Sequence, residues 1–514
     1  MTERIRRSGV LGLILVLSLG VSGCFDLDVS NPNEPDRDRA LSTPGDVEAL
    51  IASQFRVWWN IQQGNTAPAL DAMAELESGT QANFGFQDQG EMPPIPIVNQ
   101  VGYQWGYWMQ DPFLLQNRAL AAIRDGIQAI EARNLDISQP NRLAALAKFL
   151  QGVMHGNIAL LYDRGFIIDE TATDPASAEV RPYGEVMTAA RGYLAEARAL
   201  AAQGSFTIPA GLLGTSAVSS ATLIQLTHAY EARFMAQVAR SPQERAQVNW
   251  SEVLSHTERG IQQDFGVDLD GPGGVWNSPL KQRSSLNSNT ALAFIGPADQ
   301  SGAYQAWEDT PAGQKDVFLV DTDDRRITDG TPTGPGLFVV YRPFLTGAPE
   351  RGRFFLSNYA RQWWKDIGDT GFGFAPDITA REMDLLAAEA HLRLGNPQAA
   401  LAAINRDRVA LGELPPAGVE GVAGDRCVPR AAGLLAKASD RPIGSCGDLL
   451  QTLIYEKRMA MAFVSQGSVY YDARGFGTLR TGRAIQAPIP AEDLQLIGIP
   501  TYTFGGVGGE GAAP

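Results

Sequence analysis

Apolar residues recur at helical spacing along two long stretches of this chain, and a less regular stretch separates them. A first helix is expected over 43–60, where Thr43 supplies a cap, Pro44 the first turn, and Val47, Leu50, Ile51 and Phe55 one face. Further helices are expected over 112–133, through Leu115, Ala119, Ile123 and Ile130, and over 141–163, through Leu146, Leu150, Val153 and Leu160. The same spacing continues over 182–202, 219–240 and 250–263. From 266 to 378 the period fades. Gly, Pro, Asp and aromatic residues crowd in, and only 318–320 and 337–341 read as short strands. An irregular region of that length inside a compact chain usually carries function.

Helical spacing resumes at Thr379, with Met383, Leu386, Ala390 and Leu394 on one stripe. Gly395 ends that helix, and Asn396-Pro397 starts the next through Ala400, Leu401 and Ile404. Two helices joined so tightly form a hairpin of the tetratricopeptide kind, although no strict 34-residue period is present. The segments 219–240 and 250–263 read as a second such hairpin, and a last helix is expected over 448–463. The fold class is therefore mainly α: tetratricopeptide-like hairpins form a curved scaffold, with a loop-rich aromatic region packed on it. The scaffold comprises 41–265 and 379–475 within one domain, 41–504, and the glycine-rich tail 505–514 is expected to be disordered.

The amino terminus changes the picture. Arg4, Arg6 and Arg7 precede an apolar run over 10–21, then Ser22-Gly23-Cys24. A basic stub, a short apolar core and small residues before a cut describe an export signal over 1–23. The run is too short to stay in a bilayer as a helix, which needs about 20 residues. Ending on Gly-Cys, it resembles the lipobox of bacterial lipoproteins, which makes Cys24 the lipidated first residue of the mature chain. Residues 24–40, with five acidic side chains and two prolines, read as an acidic tether.

The chain has a formal charge of −15, and losing three arginines and one glutamate with residues 1–23 makes it −17. Such an acidic body has no general attraction for phosphate backbones, so nucleic acid is an unsuitable partner. Attachment to a membrane then falls to the acyl chains on Cys24. Once Cys24 is acylated, Cys427 and Cys446 remain, and in an oxidising compartment they are expected to form a disulfide.

Several segments together resemble the SusD/RagB family of outer-membrane nutrient-binding lipoproteins. They are the Cys24 anchor with Leu27-Asp28 and Asn31-Pro32, and the helix end Leu160-Leu161-Tyr162-Asp163-Arg164-Gly165. The hairpin from Glu382 to Arg408 follows, then Ile454-Tyr455-Glu456-Lys457-Arg458 with Tyr471-Asp472-Ala473-Arg474, and finally Pro488-Ile489-Pro490. The chain departs from the pattern at Gly165-Phe166 and at Val464-Ser465, positions where acidic residues are usual. The resemblance implies a non-enzymatic receptor, lipid-anchored in the outer membrane and exposed at the cell surface. It would capture oligosaccharides or peptides for a SusC-like TonB-dependent β-barrel transporter.

Sugar rings present flat C–H faces, for which aromatic side chains are natural platforms. Trp105, Tyr107 and Trp108, before the helix expected at Pro112, and Trp276, Tyr304 and Trp307, in the irregular region, are the ligand-binding candidates. Trp58-Trp59 and Trp363-Trp364 are further pairs, read as core. No cofactor, metal ligand or catalytic residue is assigned. Asp321 and Asp323 alternate like calcium ligands, but Arg325-Arg326 follows at once, which favours a solvated turn. His155, His228, His256 and His391 are scattered through helices without a partner at metal-binding spacing. Two other functions compete with the receptor. A helical scaffold for envelope assembly would use the hairpins to grip proteins, and a glycan hydrolase would need a carboxylate pair that 57 acidic residues make impossible to single out.

Overall fold

The computed structural model describes residues 41–64, 66–79, 85–172, 179–282, 288–343, 357–430 and 445–514. Cys24, the export signal and the acidic tether lie outside the described residues. Ten helices carry the architecture: α1 Pro44–Gln62, α2 Tyr107–Arg133, α3 Pro140–Leu161, α4 Tyr183–Ala201, α5 Ser220–Gln237, α6 Trp250–Arg259, α7 Ala380–Arg393, α8 Pro397–Ala410, α9 Leu449–Met461 and α10 Ser468–Phe476. Each of α1 to α8 packs on its successor in this order, and α9 closes the far end against α7 and α8. This successive packing is the mainly helical, tetratricopeptide-like scaffold expected from the sequence. Among the described residues, no helix is long and apolar enough to cross a membrane.

Local chemistry explains the boundaries. The Thr43 hydroxyl accepts from the Asp46 amide at 3.2 Å, Ser219 caps α5, and Thr379 caps α7 by accepting from the Glu382 amide at 3.0 Å. Asp448 and Gln451 form a reciprocal capping box at the start of α9. Two glycines let α3 sit deep in the stack: a Cβ on Gly152 would lie 2.7 Å from Leu194 of α4, and one on Gly156 2.2 Å from Phe234 of α5.

Three expectations need correction. Helix α2 starts at Tyr107 rather than Pro112, which lies inside it. Burial of Trp108 and Met109 in the core holds the first turn although Pro112 offers no N–H. The segment 318–320 is extended but unpaired, its Val320 amide donating to the Tyr359 hydroxyl. The tail 505–514 is ordered: Gly505 bridges to Pro96, Ala512 to Ala484, and Ala513 is buried.

The irregular stretch has a defined base. Strands β2 (Phe265–Asp270) and β6 (Phe372–Ile378) pair antiparallel at its two ends, with Phe372 opposite Asp270. Helices α6 and α7 pack on each other across that ribbon, so 266–378 is an insertion rooted between neighbouring helices. Inside it, β3 (Ser288–Thr290) pairs with β1 (Glu77–Gly79), and β4 (Val339–Tyr341) pairs with β5 (Tyr359–Arg361). Gly266, Gly373 and Pro376 hide β2 and β6 from a reading by propensity. Cys427 and Cys446 form a disulfide, their Cα atoms 5.7 Å apart.

Candidate functional site

The aromatic candidates fall in three separate places. Trp105 and Tyr107 are half-buried at the turn into α2, their rings 6.4 Å apart, while Trp108 points inward and is 2 % exposed. Trp276 is half-buried against Phe55 of α1. Tyr304 and Trp307 are buried and stacked on each other at 5.9 Å, with Phe318 alongside. Trp108, Tyr304 and Trp307 are thus core side chains and offer no platform to a ligand. An amphipathic helix turns part of its aromatic run inward, and the run alone did not reveal which part.

The motif residues behind the resemblance are architectural. Arg326 is held by Asp324 (Nη2–Oδ2 2.8 Å) and by Glu456 (Nη2–Oε1 3.2 Å), and Arg408 reaches the same Glu456 oxygen at 3.4 Å. Lys457 pairs with Asp472 at 3.0 Å, and Asp472 also accepts from Arg245 at 3.1 Å. Arg474 donates to the carbonyls of Ile485 and Gln237. All of these side chains are buried.

A cavity of about 610 Å³ lies instead where the insertion meets the scaffold. Phe338, Gln362, Trp363 and Trp364 wall it from the insertion, and Arg381, Asp407 and Met459 from α7, α8 and α9. The β4–β5 ribbon delivers the aromatic wall. The amides of Leu337 and Phe338 donate to the carbonyls of Arg325 and Arg326, so the buried Arg326 anchors the strand that leads to it. Trp363 is core: it stacks on Phe338 at 4.8 Å and meets Phe294 and Phe463 edge-on.

Trp364 differs. Its backbone is left-handed (φ 58°), an uncommon state for a bulky side chain and one that clusters at binding sites. The inner face of its half-buried indole lies 5.2 Å from the Lys281 ammonium. Burial lowers the Lys281 pKa to about 7, and the amine donates to Gln63 Oε1 at 2.7 Å and to the carbonyls of Pro376 and Val464 at 2.8 Å. Opposite, Arg381 clasps the α7–α8 hairpin, its Nε donating to Asp407 Oδ2 at 2.6 Å and its Nη1 to the Ala403 carbonyl at 2.8 Å. Burial lowers the pKa of this guanidinium. The doubled tryptophan was the one sequence signal for this wall, and half of the pair is core.

Two metal-like groupings resolve into ion pairs. His228 and His256 have no partner at metal-binding spacing along the chain, but the fold sets their Nδ1 atoms 2.9 Å apart, beside Glu231 and Glu252. Arg191 bridges both carboxylates at 3.3 and 2.6 Å and Arg198 holds Glu231 at 3.0 Å, so guanidinium groups already neutralise that position. Asp321 and Asp323 are likewise gathered by Arg426, at 3.2 and 2.9 Å.

No family model and no curated sequence matches the chain. Solved structures do. A SusD homolog from Bacteroides thetaiotaomicron superposes with a TM-score of 0.55 at 12 % identity, covering 92 % of this chain and 98 % of that one. A SusD superfamily protein from Bacteroides vulgatus gives 0.54 at 12 %, covering 89 % and 97 %. A SusD homolog from Parabacteroides distasonis gives 0.53 at 11 %, covering 83 % and 84 %. The class is a helical-repeat scaffold bearing a large insertion. More particularly, the chain has the SusD-like fold over nearly the full length of those structures.

Proposed function

We propose that this protein is a non-enzymatic receptor, tethered to the outer membrane through Cys24, that captures oligosaccharides and passes them to a SusC-like TonB-dependent transporter. The observation that carries the reading is the cavity itself. It sets an aromatic wall against hydrogen-bonding side chains, within a fold shared with a SusD homolog over 92 % of this chain. Apolar faces of a sugar ring would rest on Trp364, and its hydroxyls would face Gln362, Arg381 and Asp407. Asp407 accepts from Arg381 on one oxygen and from Arg406 on the other at 3.2 Å. Trp105, Tyr107 and Trp276, the half-buried members of the sequence-derived set, stand as secondary contacts.

Retardation of the purified protein in gels containing candidate polysaccharides tests the reading. The wild-type chain is expected to be retarded and Trp364→Ala to run as in a plain gel, while the glycan is recovered at its original length. Shortened glycan would point to a hydrolase, and an unretarded wild type across the panel would favour the scaffold.

A further inference from the structure

We infer that the glycan taken at this cavity carries a carboxylate, so that oligosaccharides containing uronic acid are preferred over neutral ones. The inference rests on the receptor reading above and names its ligand class. It follows from counting donors and acceptors around the cavity. Asp407 is occupied on both oxygens by Arg381 and Arg406. The Gln362 amide donates to the Gly336 carbonyl at 2.9 Å. Two donors are left over: Nη2 of Arg381 and Nε1 of Trp364 are both buried and have no acceptor among the described residues. The Arg381 side chain is 10 % exposed, and Asp407 is the carboxylate it pairs with. Burial, with Arg406 nearby, lowers the pKa of Arg381 despite the Asp407 carboxylate.

The missing component is therefore an acceptor, and a negatively charged one. A ligand hydroxyl would bring a proton needing an acceptor of its own, whereas an ionised carboxylate only accepts and matches the planar edge of a guanidinium. Arg381 and Trp364 both line the cavity, so a carboxylate bound there would draw their unpaired donors toward it. The rim does not decide the charge preference. Lys365 is paired with Asp369, and the exposed Asp366 adds one negative charge. Asp366→Asn should accordingly favour an acidic ligand slightly.

Calorimetric titration of the full mature chain with matched ligands tests this. The panel pairs neutral tetrasaccharides of glucose, galactose and mannose with the corresponding tetrauronates, and adds tetraglutamate as a carboxylate without a sugar. At least one tetrauronate is expected to bind about ten-fold tighter than its neutral counterpart, as charge-assisted bonds are stronger than neutral ones. Arg381→Lys keeps the ion pair to Asp407 but loses the fork, and should weaken that tetrauronate about five-fold, several times more than it weakens the neutral sugar. Trp364→Phe keeps a ring without the N–H and should cost the acidic ligand about three-fold. Circular dichroism of both variants checks that the hairpin remains folded. Equal or tighter binding of the neutral sugars would overturn the carboxylate and leave the receptor standing. Tetraglutamate binding as well as the tetrauronate would overturn the sugar. No binding by any ligand would remove the receptor reading and this inference together.

Discussion

Buried charge is treated in opposite ways in the carboxylate network around Glu456 and Asp472 and at the cavity wall. Around α9, Arg326 has two carboxylates, Glu456 serves two arginines, and Asp472 serves Arg245 and Lys457. At the wall, Arg381 has one carboxylate shared with another arginine and a nitrogen without an acceptor among the described residues. A network closed on itself has no chemistry left for a ligand and serves the fold. A wall with donors to spare has a use for one. The family-like motif and the candidate site are therefore different sets of residues, and conspicuous sequence marks the former.

The comparison breaks most visibly at Glu456. Glu456→Ala leaves Arg326 and Arg408 buried and short of a carboxylate, which should cost about 3–5 kcal/mol. A denaturant melt should show the midpoint falling, with glycan affinity unchanged in the fraction that stays folded. A Glu456→Ala protein that kept its stability but lost binding would place the network in the site and dissolve the distinction.

A second, smaller test separates neighbours in one aromatic run. Trp108→Ala removes a side chain that is 2 % exposed and should cost about 3–5 kcal/mol, whereas Trp105→Ala, at a half-buried turn, should cost under about 1 kcal/mol. Thermal melts of the two variants measure this directly. Similar losses would mean that the turn before α2 is as much core as the helix itself.

Much of the scaffold was readable because its rules are local. Thr43-Pro44, Thr379 and Asn396-Pro397 mark helix starts by backbone chemistry, and a 3.6-residue stripe marks the face to be buried. The insertion obeys no such rule. Strands β2 and β6 begin 107 positions apart and meet only because α6 and α7 are neighbours, which no local pattern encodes. For the same reason nothing local marks Arg381: its partners Ala403 and Asp407 come from the next helix, and Trp364, which lines the same cavity, comes from the insertion. The aromatic candidates were chosen by composition, which cannot tell a ring facing solvent from one facing Phe318.

The finest test asks whether the scaffold satisfies a neutral polar group as fully as its charges. His155, on α3, is completely buried; its Nδ1 donates to the Gln151 carbonyl at 2.7 Å and its Nε2 accepts from the Ile168 amide at 3.0 Å. Protonation would turn the second contact from acceptor to donor against another donor, and burial lowers the pKa to about 4 although Asp169 lies near and Lys148 opposes it. In the unfolded chain the same imidazole takes its proton near pH 6.5. Above that pH neither state is protonated and the contribution is whole. As pH falls from about 6.5 toward 4 the unfolded state alone gains a proton, and stability drops by up to about 1.4 kcal/mol per unit. His228, lowered to about 3, and His256 act in the same direction, so the comparison must be made against a variant. His155→Gln removes one titration, and its unfolding free energy should decline less steeply than that of wild type between pH 6.5 and 4.5. Parallel slopes would mean that His155 is protonated in the fold and that a carbonyl or carboxylate near Ile168 has taken over the second nitrogen.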